Sequence, residues 1–110
     1  MNVKARRIVT LRLEGGGSPF EDWLFNLKSL VYRSAVDARL TRIRDGNFGD
    51  HKRVGDGVFE LRLPLGPGLR IYYGLVGEEL VILLGGGDKS TQKRDIKAAL
   101  KLWKRYKDER

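Results

Sequence analysis

Between Val58 and Leu75 hydrophobic residues recur at every second position, and this period of two constrains the chain more than any other feature. In Val58–Leu63, Phe59, Leu61 and Leu63 point one way and Val58, Glu60 and Arg62 the other. Leu65-Gly66-Pro67-Gly68 then turns the chain, because proline presets φ for a turn and glycine accepts φ > 0. In the next run Leu69, Ile71, Tyr73 and Leu75 share one face, with Arg70 and Tyr72 on the other. Gly77-Glu78-Glu79 turns again, and Leu80–Leu84 is apolar throughout, the pattern of a strand covered on both faces. Three strands with short connections predict an antiparallel meander. Its non-core face is expected to carry Glu60, Arg62, Arg70 and Tyr72 together.

The rest of the chain supplies another strand and the helices. Ile8-Val9-Thr10-Leu11-Arg12-Leu13 reads as a first strand, broken by Glu14-Gly15-Gly16-Gly17. Ser18 as N-cap, Pro19 at the first helical position and Glu21 completing a capping box predict a helix start. Phe20, Trp23, Leu24 and Leu27 form its apolar stripe. A break near Lys28-Ser29 separates it from a second helix to about Arg44, with Tyr32, Val36, Leu40 and Ile43 inward and Arg33, Arg39, Arg42 and Arg44 elsewhere. Asp45–Asp50 reads as a loop, with His51-Lys52-Arg53 following it. Gly85-Gly86-Gly87 is expected to turn the chain into a C-terminal helix capped by Asp88 or Ser90. That helix sets Ile96, Ala99, Leu100, Trp103 and Tyr106 beside a basic stripe of Lys93, Lys97, Lys101 and Lys104. The order β-α-α-β-β-β-α predicts one α+β domain over residues 1–110, with a mainly antiparallel sheet of about four strands and the helices on one face.

Charge and composition narrow the function. The 22 basic and 14 acidic residues give a net charge of +8, which suits a polyanionic partner, nucleic acid first and an acidic protein second. Lys89–Arg110 alone carries nine basic and three acidic residues. The absence of cysteine excludes disulfides and thiolate metal sites, and a single histidine argues against a histidine site, so neither metal nor cofactor is expected. The longest apolar run is five residues, and no apolar core follows the basic start Met1–Arg7. A cytoplasmic protein with no membrane partner is the expectation. No large apolar stripe is left over after the core is assigned, which predicts a monomer.

Several segments carry a resemblance. Gly46-Asn47-Phe48-Gly49-Asp50, Glu60-Leu61-Arg62, Gly66-Pro67-Gly68 with Arg70 and Tyr72, Leu83–Gln92 and Asp95-Ile96 resemble the HigB-like "addiction module killer protein" branch of the RelE/ParE toxin superfamily. The resemblance runs in order from about Phe20 to Trp103. It departs in a longer N-terminal region and in Leu69, where an aromatic residue is commoner. It implies a RelE-like fold, a small twisted sheet with helices packed on one face. It also implies the toxin of a type II toxin–antitoxin pair, silenced by a cognate antitoxin protein. Many relatives are metal-independent endoribonucleases that cut mRNA, often on the translating ribosome, and some ParE-like members instead poison DNA gyrase. By this resemblance Arg62, Arg70 and Lys89 take the places of the superfamily's catalytic lysines and arginines.

Metal-free RNA cleavage needs a base for the 2′-OH, positive charge on the phosphorane and an acid for the leaving 5′-oxygen. Arg62 and Arg70 suit the second role, since a guanidinium is always charged and grips two phosphate oxygens. Lys52 and Lys89, from flanking loops, add charge or a proton. Glu60 is either a base or the partner that orients the arginines. His51 is an acid, a base or a solvated loop residue. Tyr72 stacks on a base, bonds a phosphate or pads the sheet. Gln92 and Lys93, at the helix start, and Arg53 are candidate RNA contacts. Gly85–Ser90 lacks the spacing of a nucleotide-binding phosphate loop. A gyrase inhibitor and a non-catalytic nucleic-acid-binding module stay open as alternatives.

Overall fold

The computed structural model describes residues 5–109; the basic start at Met1–Lys4 and the last residue, Arg110, lie outside it. The described residues form an α+β domain in the order β1 (Arg7–Thr10), α1 (Pro19–Asn26), α2 (Leu30–Arg44), β2 (His51–Gly55), β3 (Val58–Leu63), β4 (Leu69–Val76), β5 (Leu80–Gly87) and α3 (Gln92–Asp108). A 3-10 turn at Lys89–Thr91 leads into α3. They make one five-stranded sheet ordered β1-β5-β4-β3-β2. The β3-β4-β5 meander is antiparallel throughout, and β1 joins β5 in parallel.

The α+β class and the meander agree with the sequence reading; two features of the sheet do not. The expected four strands become five because His51–Gly55 pairs with β3. This segment reads as a loop because it is polar, yet a charged strand is what an exposed sheet edge carries. Its hairpin turns at Asp56 and Gly57, both with positive φ (39° and 85°). Secondly, the three glycines after Leu84 are strand, with Gly85, Gly86 and Gly87 opposite Tyr72, Ile71 and Arg70. Here the missing side chains make room across the sheet. A Cβ on Gly86 would run into the Trp23 ring of α1, and one on Gly87 into the Asp95 carboxylate of α3.

The helices also divide between the two faces. Leu61, Leu63, Leu69, Ile71, Tyr73, Val81 and Leu83 pack against Phe20 of α1 and Val36, Leu40 and Ile43 of α2. Val58, Tyr72, Ile82 and Leu84 pack against Ala99 and Trp103 of α3 on the opposite side. The face expected to lie away from the core is thus a second core. Glu60 and Arg70 made it look wet, but the stripe of α3 is wide enough to cover their strands. Bare backbone at Gly74 admits the Trp103 ring where any Cβ would collide with it.

The helix starts follow the expected chemistry in part. Ser18 accepts from the Glu21 amide at 3.2 Å and Ser29 from that of Tyr32 at 3.2 Å. The Glu21 carboxylate pairs with Arg12 at 2.9 Å, where a capping box would have turned it back to Ser18. Arg39, expected on an outer face of α2, is buried and donates to the carbonyls of Arg62, Phe48 and Asp50 at 2.6, 2.9 and 3.0 Å. It staples the loop before β2 to the end of β3. Phe25, Leu30 and Val31 stand exposed around the α1–α2 junction, an apolar patch the sequence reading did not leave over.

Candidate functional site

Glu60 is the centre of the polar cluster. It lies on β3 opposite Tyr72 of β4 and Lys52 of β2, so the three share the α3 face of the sheet. No part of it reaches solvent. Its Oε2 accepts from the Tyr72 hydroxyl at 3.1 Å and from Gln92 Nε2, at the start of α3, at 2.9 Å. Arg70 Nε stands 3.6 Å from the same oxygen, with the arginine side chain 12 % exposed. A buried carboxylate needs such donors, because desolvation of an unpaired charge is costly. Among the described residues, Glu60 Oε1 has no hydrogen-bond partner. Buried in this way, Glu60 is out of a polymer's reach and acts on its neighbours.

Arg70 is also held from the other side, donating from Nη1 to the carbonyl of Gly68 at 2.7 Å. Arg62 stands directly opposite Arg70 across the β3–β4 ladder. Its guanidinium reaches sideways to Asp50, with Nη2 and Nε 2.8 and 3.3 Å from Oδ1. The hydrogen bond from Arg62 holds the Asp50 carboxyl below its ordinary pKa. Lys89 is exposed and its backbone amide donates to Pro67 at 3.3 Å, so this lysine rides on the β3–β4 turn beside Arg70. Arg62, Arg70 and Lys89 therefore sit at one end of the sheet. Burial, then the Glu60 charge, raises the Tyr72 pKa well above the ordinary phenol value, so Tyr72 remains a neutral donor.

The remaining expected residues separate. Gln92 joins the cluster, while Lys93 is exposed beside it, on a surface depression shared with Lys89 and Arg94. Lys52 belongs to strand β2, not to a loop, and is exposed on the Glu60 face. His51 and Arg53 pair with Leu61 and Phe59 and so face the opposite side. The His51 ring lies 5.2 Å from that of Phe48 and 6.3 Å from that of Phe59. This removes His51 from the Arg62–Arg70 cluster for a simple reason: consecutive strand residues point to opposite faces. Asp50 and Arg39 were not singled out by sequence reasoning, although Asp50 closes the Gly46–Asp50 motif.

Against known proteins, the chain is 52% identical over 80 residues to a protein of Haemophilus influenzae described as uncharacterized, covering 73% of this chain and 81% of that protein. The chain belongs to that protein's family. No family model matches the sequence. No solved structure matches it either. No activity is attached to the Haemophilus relative, so function rests on the site itself.

Proposed function

We propose that the protein is the toxin of a type II toxin–antitoxin pair and a metal-independent endoribonuclease that cuts mRNA on the translating ribosome. The observation that carries this reading is the end of the β3–β4 hairpin. There Arg62 and Arg70 stand opposite one another, Lys89 is carried on the turn, and buried Glu60 forms an ion pair with Arg70. The family resemblance of these same residues supports it, as does the net charge of +8.

In this reading a phosphate of the RNA enters beside Arg70, and Arg62 leaves Asp50 to close on it. Attack by the 2′-oxygen, whose proton passes to water, forms a bond to phosphorus while the bond to the 5′-oxygen breaks. The products are a 2′,3′-cyclic phosphate and a 5′-hydroxyl. The two guanidinium groups stabilise the extra negative charge on the phosphorane. Lys89 or Lys52 protonates the departing oxygen. Glu60, Tyr72 and Gln92 position Arg70 and do not touch RNA. A cognate antitoxin covers this basic end.

The test is a bacterial translation extract supplied with purified protein, followed by primer extension. New 5′ ends inside the translated region, and none with Arg70→Ala, are expected. An extract whose mRNA stays intact would overturn the ribonuclease reading, and loss of gyrase supercoiling in the same preparation would replace it.

A further inference from the structure

Next to the arginine cluster lies a slot with different chemistry. It has a volume of about 380 Å³ and opens between β5 and the middle of α3. The bare backbone of Gly85, with Tyr72, Pro19 and Leu102, lines it. A Cβ on Gly85 would meet nothing within 4 Å, unlike those on Gly86 and Gly87, so the emptiness here is not required by packing. Asp95 lines the slot with its side chain 16 % exposed, and the exposed Lys101 and Arg105 stand at the rim. Asp95 Oδ2 accepts from the Thr91 hydroxyl at 2.5 Å, and Oδ1 lies 3.7 Å from Arg94 Nε. Since each carboxylate oxygen has two lone pairs, both can accept again.

We infer that this slot takes one base of the RNA chain and selects guanine. The proposal rests on the ribonuclease reading for its choice of RNA. A flat ring fits against bare peptide backbone among apolar side chains, and flipped bases are held between apolar side chains in enzyme pockets. A carboxylate at the end demands donors, and guanine presents two adjacent ones, N1–H and the 2-amino group. Uracil offers a single N–H between two carbonyls, which a carboxylate repels. Lys101 and Arg105 supply positive charge for the flanking phosphates. Gly85 and Gly87 lie opposite Tyr72 and Arg70, so slot and arginine cluster are two residues apart, roughly 7 Å along β5. That distance lets a base in the slot set which phosphate meets Arg70.

The test is fluorescence anisotropy with labelled, uncleavable 2′-O-methyl hexauridylate carrying one central guanine, inosine or uridine. Guanine should bind about tenfold tighter than uridine, with inosine, which lacks the 2-amino group, in between. Gly85→Leu fills the slot and should make the three probes bind alike; Asp95→Asn should do so without filling it, with thermal melts confirming both folds. Equal binding of the three probes to the native protein, or a guanine preference that survives in Gly85→Leu, would overturn the proposal. Cleavage of mRNA in the translation extract is scored separately. Guanine preference without cleavage counts against the ribonuclease alone, and cleavage without preference against the slot alone.

Discussion

Glu60 and Leu61 are consecutive, equally hidden from solvent, and on opposite faces of one strand. Leu61 belongs to the α1/α2 face, where aliphatic side chains and the stacked rings of Phe48, Tyr73 and Phe59 meet, and where the buried Arg39 is taken up by backbone carbonyls. Glu60 belongs to the α3 face, where a similar depth of burial encloses a carboxylate, an arginine, a phenol and an amide. Such a network is seldom the most stable filling of a core, since apolar residues of like volume do as well or better. The difference teaches that one face holds the sheet together, while the other gives up some stability to hold Arg70 in a fixed place.

Leu61→Ala breaks the comparison on the dry side. It should lower stability by roughly 2–5 kcal/mol in urea unfolding, through lost burial and the cavity left behind. Activity per folded molecule should not change. Glu60→Gln breaks it on the other side. The amide keeps the shape but loses the charge beside Arg70, at an expected cost of about 1–3 kcal/mol. RNA cleavage should fall much further than that loss of fold explains, with Arg70→Lys failing to restore it. If Glu60→Gln behaved like Leu61→Ala, the two faces would be equivalent.

The glycines of β5 give a finer version. Gly86→Ala pushes a methyl group into Trp23 on the α1 side and should cost roughly 1–3 kcal/mol. Gly85→Ala meets open space on the α3 side and should shift the urea midpoint little in either direction. Equal losses would mean that the two sides are equally full.

Buried phenols serve as probes of both faces. Tyr72 and Tyr73 lie on opposite faces, and burial raises the pKa of each beyond the usual range. A raised pKa in the folded state favours the protonated form. Their contribution to stability is then complete below the ordinary phenol pKa of about 10 and is lost as pH climbs through the folded values. Absorbance at alkaline pH should show both resisting ionisation until the protein unfolds.

The smallest expected effect is at the exposed Asp50–Arg62 pair. Asp50 is lowered by Arg62, so its contribution is present above the ordinary carboxylate range and fades as pH falls through the folded value. In a carboxylate NMR titration, Arg62→Ala should move the Asp50 midpoint up. An unmoved midpoint would mean the pair does not persist in solution.

What the sequence made legible was periodicity. The inward and outward sets of β3 and β4 follow from counting by two, and with them the grouping of Glu60, Arg62, Arg70 and Tyr72. Parity does not say what covers a face, however, so a row with two arginines and a glutamate read as solvated surface when α3 lies over part of it. Strand β2 was hidden because an edge strand need bury little, and missing it left His51 and Lys52 as neighbours on a loop with no assigned faces. Arg39 was hidden because its burial depends on backbone carbonyls that only the folded loop brings together. The slot lined by Gly85 had no signal beyond three glycines, which read as readily as a turn.

The most direct measurement of the central claim is induced expression in a bacterial host, with primer extension on abundant mRNAs. The native protein is compared with a variant carrying Arg62→Gln, Arg70→Gln and Lys89→Gln, its fold checked by circular dichroism. The account predicts growth arrest with discrete new 5′ ends for the native protein, and neither for the folded variant. Arrest and cleavage that persist in the variant would contradict it.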